Sequence, residues 1–197
     1  MKRANISALC FTGHKGLMGP QGIGGFLVTD ELAEQMAPLL DGGTGSVSDQ
    51  LDMPDFLPDR FEAGTLNLPG IYGLSSALDY LNSVDKNELL MIEEQLTKAF
   101  IRGVEAIDGL QLVGTADHRN RCALVSVDCL TKDNAQVAFE LDRDYGIMTR
   151  VGMHCAPLAH RSLETYPQGT LRFSFSHFNT LGEVACALEA LQKITAE

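Results

Sequence analysis

One long amphipathic segment, residues 85–107, constrains the fold of this chain more than any other feature. Its apolar side chains recur at the spacing of one helical face, and an Asp-Gly pair ends the pattern. A helix of that length buries its apolar face only when other elements pack on it. We therefore predict that residues 84–107 link two differently built parts of the chain, residues 1–83 and residues 108–197.

The part that follows alternates short apolar runs with helical patterns. Strands are predicted over 110–114, 122–129, 147–151 and 170–176, and helices over 131–145 and 179–194. Asp133 is a candidate cap for the first of these helices, and Gly146 is a candidate stop. A strand–strand–helix–strand–strand–helix order predicts a small α+β domain with a mostly antiparallel sheet.

The first part is poorer in regular structure. We predict strands over 5–11 and 24–28, helices over 29–40 and 74–81, and a loop over 41–73. Two strands are too few for a sheet of ordinary width. Either this part packs against the second part, or further strands come from another chain or were not included in this sequence. A loop this long favours a functional role or contact with a partner subunit.

The composition excludes several classes of function. The formal net charge of −11 argues against nucleic acid or an acidic membrane as a partner, because phosphates are bound by Lys and Arg. No apolar run approaches the ~20 residues of a membrane helix. The five cysteines include no Cys-x-x-Cys pair, which predicts reduced thiols, no metal site and a cytoplasmic protein.

Lys15 lies in a glycine-rich connection between the first two predicted strands. Such a backbone can turn N–H groups toward an anion, and a desolvated lysine can form an imine with an aldehyde. Pyridoxal phosphate presents both groups. An ordinary surface lysine is the alternative that residue type alone favours.

The segment Phe11-Thr12-Gly13-His14-Lys15-Gly16 resembles the cofactor-lysine motif of the class V aminotransferase family, within the fold-type-I pyridoxal-phosphate enzymes. Segments 19–25 (Gly-Pro-Gln-Gly-x-Gly-Gly) and 60–67 (Arg-Phe-Glu-Ala-Gly-Thr-x-Asn) match further motifs in family order. The resemblance implies that Lys15 holds the cofactor and that Thr12 and His14 contact its phosphate.

Segment 42–46 (Gly-Gly-Thr-Gly-Ser) resembles, more loosely, the family's loop that crosses the dimer interface to the phosphate of the partner subunit. The resemblance implies a hydroxyl donor there, and Thr44, Ser46 and Ser48 are the candidates.

Cys155 is the second candidate for chemistry, in Arg150-Val151-Gly152-Met153-His154-Cys155-Ala156-Pro157. The flanking Gly and Pro predict a loop after a strand, whereas a lone Cys is more often a buried thiol. Nearby Arg150 and His154 favour the reactive thiolate. The segment resembles the active-site cysteine loop of cysteine desulfurases related to selenocysteine lyases, some of which have a second His where this chain has Met153.

Arg172 lies on the last predicted strand. A guanidinium binds a carboxylate in a two-pronged geometry, and a solvent-exposed arginine on an edge strand is the alternative. Residues 169–172 resemble the family's Gly-Thr-x-Arg motif, which implies that Arg172 binds the α-carboxylate of the substrate, with Arg150 and His154 beside it. We predict His160 to be a hydrogen-bonded structural residue.

The remaining cysteines are predicted to belong to the core; they are Cys10, Cys122, Cys129 and Cys186.

The resemblance implies a pyridoxal-phosphate-dependent cysteine desulfurase that converts L-cysteine into L-alanine and leaves a persulfide on Cys155. It also implies L-cysteine or selenocysteine as substrate, a homodimer and a sulfur-acceptor protein. The fold implied is an incomplete α/β large domain of the pyridoxal-phosphate transferases followed by the small α+β domain. Family members carry a long N-terminal half before the lysine, so we expect a truncated or partial chain that by itself binds the cofactor weakly.

Three alternatives remain open from the sequence. The chain is a non-catalytic fragment or binding remnant of the family, or it catalyses another class V aminotransferase-type reaction that does not need Cys155. A cysteine hydrolase pairing Cys155 with His160 or His177 is the third, and it leaves Lys15 unexplained.

Overall fold

The structure, a computed structural model, describes residues 1–119 and 121–196, with the backbone alone at Lys2. It divides into two compact units, Met1–Val84 and Asp85–Glu197. The α/β fold with antiparallel sheets agrees with the prediction from the sequence.

The first unit begins with a short 3₁₀ turn, Lys2–Ala4, and a hairpin of two antiparallel strands, β1 (Ala8–Thr12) and β2 (Gly24–Val28). The glycine-rich connection of the sequence joins these two strands. The helix that follows, α1 (Asp30–Ala33), has 4 residues and is much shorter than predicted. Pro38 opposes a helix that continues to residue 40, because proline disfavours a helical conformation in the residue before it.

The last element of the first unit is α2 (Leu68–Ser83), which begins six residues before the predicted helix over 74–81. Asn67 caps it by accepting a hydrogen bond from the backbone N–H of Gly70. Pro69 suits the first turn of a helix, where no backbone N–H is needed. A 3₁₀ turn (Asp59–Phe61) interrupts the loop that precedes this helix.

The second unit is built on one antiparallel sheet in the order β3-β4-β6-β5. Its strands are β3 (Leu110–Val113), β4 (Leu124–Cys129), β5 (Arg150–Gly152) and β6 (Thr170–Ser174). Each lies within a predicted strand apart from β5, which ends one residue beyond it. Because β6 is hydrogen-bonded to a strand on either side, Arg172 is not on an edge strand.

Four helices complete the second unit; they are α3 (Lys86–Glu105), α4 (Asn134–Tyr145), α5 (Pro157–Ser162) and α6 (Leu181–Ala196). Asp133 caps α4 and Gly146 ends it in a left-handed conformation, as predicted. The short helix α5 was not predicted. Its first residue is Pro157, a position that proline favours.

The hydrophobic core lies in the second unit. Phe100 of α3, Leu171 of β6 and Leu191 of α6 are fully buried and belong to one cluster. In the described part of the first unit, the buried apolar side chains are Ala33 and Pro54. The sheet that carries Arg172 is therefore supported by a packed core, whereas the hairpin beside Lys15 exposes most of its side chains.

Candidate active-site residues

The connection that carries Lys15 is folded back on itself by backbone hydrogen bonds. The N–H of Gly13 donates to the carbonyl of Ile23 at 2.9 Å, and the N–H of Gly19 donates to the carbonyl of Gly13 at 2.8 Å. The N–H of Met18 donates to the carbonyl of Lys15 at 2.8 Å. The last bond closes a tight turn, and Lys15 is an exposed residue at its start.

The donors that surround Lys15 fit an anionic aldehyde cofactor. Thr12 Oγ1 and His14 Nδ1 are joined by a hydrogen bond of 3.0 Å, and both side chains are exposed. A hydroxyl, an imidazole and an amine thus occur within four successive residues. The first two can bind a phosphate, and the amine can form an imine with an aldehyde. The residues present fit pyridoxal phosphate.

Asn67 connects two of the motif segments found in the sequence. Its Nδ2 donates to the carbonyl of Gly22 at 3.3 Å, while its Oδ1 accepts from the N–H of Gly70 at 3.1 Å. Segments 19–25 and 60–67 therefore meet in the first unit. Asn67 thereby holds the backbone at Gly22, near the end of the connection that carries Lys15.

Two of the three candidate hydroxyls of the glycine-rich loop form a pair. Thr44 Oγ1 and Ser46 Oγ lie 2.8 Å apart and share a hydrogen bond. Ser48 and Thr44 both line a cavity of about 390 Å³ formed by residues 41–54. The loop can therefore present several hydroxyls to an anion.

Cys155 lies on a tight turn directly after β5, in agreement with the predicted loop. The N–H of Ala156 donates to the carbonyl of Met153 at 2.8 Å and closes the turn. Both central residues have positive φ, 49° at His154 and 62° at Cys155. Such turns normally have Gly, Asn or Asp at these positions, so an exposed thiol here is held in an unusual backbone conformation.

His154 is fixed by the neighbouring strand. Its Nε2 lies 3.2 Å from the carbonyl oxygen of Thr170, and because a carbonyl only accepts, Nε2 carries the hydrogen. Burial, and after it the charge of Arg172, lower the pKa of His154; His160 and Arg150 act in the same direction. Burial and the nearby positive charges therefore disfavour the charged form of His154 beside Cys155.

Two arginines face each other on the strands beside the turn. Arg150 of β5 and Arg172 of β6 are direct partners in the antiparallel register, an arrangement that is unfavourable for like charges. In the described part of the chain, neither forms an ion pair with a carboxylate. Arg172 Nε is buried and has no hydrogen-bond partner there. An anion bound between the two guanidinium groups would offset both costs.

The other cysteines only partly follow the prediction. Cys129 is buried, and burial together with Asp128 raises the pKa of its thiol to about 11. The prediction was wrong for Cys10, Cys122 and Cys186, which are exposed. They lie on the exposed hairpin, just before β4 and on an outward position of α6, respectively.

Two buried polar residues, His160 and Thr170, lie near the cysteine turn. His160 is buried, as expected of a structural histidine, and its Nδ1 lies 2.7 Å from Thr165 Oγ1. The hydroxyl of Thr170 is buried without a partner in the described residues. The Gly-Thr-x-Arg segment already contained Thr170, but nothing in the sequence indicated that Thr165 meets His160.

Two further searches cover the described residues only. They contain no group of three or more His, Cys, Asp or Glu side chains arranged to hold a metal ion. Within the same residues, no helix combines the length and apolarity needed to cross a membrane.

Comparison with known proteins agrees with the motifs. The family model for aminotransferase class V matches residues 1–186. A probable cysteine desulfurase of Methanothermobacter thermautotrophicus is 34% identical over 189 residues, covering 93% of this chain and 46% of the relative. The apo structure of a cysteine desulfurase from Thermococcus onnurineus superposes with a TM-score of 0.87 at 32% identity, covering 99% of this chain and 48% of that one.

A cysteine desulfurase from Escherichia coli gives a TM-score of 0.82 at 30% identity, with 98% of this chain and 47% of that chain covered. The chain belongs to the aminotransferase class V family. This membership implies pyridoxal phosphate as the cofactor. The chain spans about half the length of the curated relatives that it matches.

Proposed function

We propose that these residues form part of a pyridoxal-phosphate-dependent cysteine desulfurase, which converts L-cysteine into L-alanine and leaves a persulfide on Cys155. One observation carries the proposal. An exposed thiol lies on a turn without glycine directly after β5, whose Arg150 is paired with Arg172 of β6, and Arg172 has a buried nitrogen without a partner among the described residues. This arrangement suits a substrate that has a carboxylate and a reactive sulfur.

In this proposal Arg172 binds the substrate carboxylate, and Arg150 and His154 support it. Arg172 offers a fork of N–H donors that matches the two carboxylate oxygens. The lowered pKa of His154 disfavours a third cation beside the two arginines. The names of the relatives, cysteine desulfurases in two cases and a probable one in a third, favour cysteine as the amino acid.

On the cofactor side, Thr12 and His14 bind the phosphate and Lys15 binds the aldehyde. When bound, pyridoxal phosphate takes up negative charge from the α carbon of an amino-acid substrate. Lys15 then moves protons at the α and β carbons as a general base and acid. Thr44 or Ser46 reaches the phosphate of a partner subunit in a homodimer.

Cys155 performs the sulfur step. Its thiolate attacks the substrate sulfur, so that an S–S bond forms and the C–S bond breaks. The electron pair of the broken bond stays with carbon, which takes up a proton and leaves as L-alanine. An acceptor protein removes the persulfide sulfur, and the five free cysteines fit a reducing compartment such as the cytoplasm.

The proposal is tested with two trapping experiments. Because the chain spans about half of its relatives' length, the longest reading frame that contains it is the protein to use. With pyridoxal phosphate, borohydride reduction is expected to attach the cofactor to Lys15. With L-cysteine, mass spectrometry is expected to find a persulfide on the peptide of Cys155, with one L-alanine released per sulfur.

Matched variants separate the alternatives. Lys15→Arg is expected to abolish trapping and alanine release, whereas Cys155→Ser keeps trapping and loses the persulfide. Alanine release that Cys155→Ser leaves unchanged would indicate a different pyridoxal-phosphate reaction. Absence of trapping on Lys15 would favour a non-catalytic relative.

A further inference from the structure

The cysteine turn is joined at both ends to one neighbouring segment, residues 165–170. On one side, Gly152 and Thr170 are partners in the β5–β6 ladder. On the other, α5 follows the turn, and the N–H of Thr165 donates to the carbonyl of His160 at 2.9 Å. Residues 152–170 thus form a closed loop with Cys155 at an exposed position.

Gly169 fixes how closely the two strands of this loop approach. It has a φ of +76°, and a Cβ placed there would lie 2.1 Å from the carbonyl carbon of Gly152. The N–H of Gly169 donates to the carbonyl of Thr165 at 2.7 Å. The 165–170 segment is therefore pressed against the backbone from which the cysteine turn starts.

Two histidine side chains hold the same segment. His154, next to the thiol, reaches the carbonyl of Thr170 at 3.2 Å. His160, which is 6% exposed, reaches the hydroxyl of Thr165 at 2.7 Å. The two imidazole rings are themselves 6.0 Å apart.

We propose that His160 and Thr165 are positioning residues for Cys155. Neither needs to touch the thiol. Their hydrogen bond holds the 165–170 segment, which in turn holds Gly152 and His154 and so keeps the turn in its left-handed conformation. The thiol is thereby kept close to the paired strands β5 and β6, which carry Arg150 and Arg172. The inference rests on the proposed function, because it assigns Cys155 the reactive thiol.

The pKa of His154 reports whether the turn that carries Cys155 stays in place. Arg172, His160 and Arg150 all act on its imidazole and, together with burial, lower its pKa. A turn released from the 165–170 segment moves His154 toward solvent. Its pKa then rises toward the ordinary value of 6.5.

The experiment measures the local potential at the thiol in the full chain. Cys155 is modified with an anionic and a cationic methanethiosulfonate, sulfonatoethyl and trimethylammonioethyl, and the two rates are read from its peptide by mass spectrometry. Both reagents attack the same thiolate, so the ratio of rates reports nearby charge. The unmodified sequence is expected to favour the anionic reagent, and added salt is expected to weaken that preference.

Thr165→Val removes the hydroxyl and retains the shape of the side chain. We expect the anionic-to-cationic ratio to fall about threefold, the size of an exposed charge interaction, and the His154 titration followed by NMR to move upward. Thr165→Ser is expected to restore both values. His160→Phe, which breaks the same bond from the other side, is expected to act like Thr165→Val.

Thr195→Val is the matched control, because the Thr195 hydroxyl donates to the Leu191 carbonyl within α6 at 2.9 Å. It is expected to change neither readout. An unchanged ratio and His154 titration in folded Thr165→Val and His160→Phe would overturn the positioning role, as would equal changes in Thr195→Val. Absence of a persulfide with the ratio behaving as expected would instead remove the proposed function and leave the positioning role.

Discussion

At the scale of single residues, the backbone of Cys155 disfavours the side chain that it carries. A Cβ in the left-handed region approaches the neighbouring carbonyl oxygen, which costs about 1–2 kcal/mol. Glycine avoids that cost, although it is more flexible in the unfolded chain. The thiol is therefore retained at some expense in stability, a pattern that is common where a residue has a functional role.

This conformation predicts an inverted preference between alanine and glycine. Cys155→Gly should be more stable than Cys155→Ala by about 1 kcal/mol, since both lack sulfur and only the alanine keeps the Cβ. Urea denaturation of the two variants measures the difference. Ala185→Gly, at an exposed position within α6, is the control. Here glycine should be the less stable residue by about 1 kcal/mol, because it disfavours a helix. The same order at both positions would contradict the left-handed turn.

The buried thiol of Cys129 should make the stability of the folded chain depend on pH. Burial raises the pKa of its thiol from 9.0 to about 11. Between these values the unfolded chain loses the proton while the folded chain keeps it, so the folded state binds more protons. Stability should therefore fall as the pH rises from 9 to 11.

The contribution of Cys129 is isolated by substitution, because other groups also titrate in that range. The part of the decline that Cys129→Ala removes, measured by urea midpoints at several pH values, belongs to this thiol. Cys122→Ala, at an exposed cysteine, should leave the decline unchanged. An identical pH profile for the parent chain and Cys129→Ala would show that the thiol does not resist ionisation.

At the scale of elements, α4 depends on its cap. Asp133 Oδ1 accepts from the N–H of Ala135 at 2.8 Å and from the N–H of Gln136 at 3.2 Å. Asp133→Ala should cost about 1 kcal/mol, whereas Asp133→Asn keeps an acceptor and should cost less. Thermal unfolding distinguishes the two, and equal losses would point to the negative charge instead of the hydrogen bonds.

End signals made α4 predictable, whereas those at the start of α2 lie in a segment whose proline and glycine also fit a loop. Asp133 and Gly146 bounded α4 correctly because a cap and a left-handed glycine are local features. The start of α2 was placed too late, because Pro69 and Gly70 were interpreted as loop residues while Asn67 acts as the cap. The turn at His154 and Cys155 has no glycine, so its positive φ values could not be read from residue types.

The residues of the candidate site were predictable from the sequence, but their contacts were not. The motifs identified the family and picked out Lys15, Cys155 and Arg172 as candidates, because each stands in a distinctive local segment. Side-chain contacts were not predictable: Thr165 and His160 are only five positions apart, but no residue pattern indicates that they meet. The facing of Arg150 and Arg172 likewise depends on strand register, which no local signal sets.

At the scale of the whole molecule, the two units differ in how much core they contain. The cluster that includes Phe100, Leu171 and Leu191 lies entirely within Asp85–Glu197. Limited proteolysis is expected to leave a resistant fragment that begins close to Asp85, because a packed core limits local opening. Sequencing the N-terminus of the fragment tests this expectation.

Phe100→Ala provides the control for that experiment. The ring of Phe100 lies 4.6 Å from that of Phe173 and connects α3 to β6. Its removal should cost about 3–5 kcal/mol and abolish the resistance of the fragment. A resistant fragment that instead comprises the first 84 residues would contradict the assignment of the core.

The glycine-free turn has a consequence for protein engineering. A library of this chain screened only for survival on heating would reward replacement of Cys155 by glycine, which has no Cβ and relaxes the backbone there. Thermostable variants obtained in that way would be enriched in proteins that cannot form the persulfide proposed for Cys155. A screen intended to keep the chemistry therefore has to select for the thiol as well as for the fold.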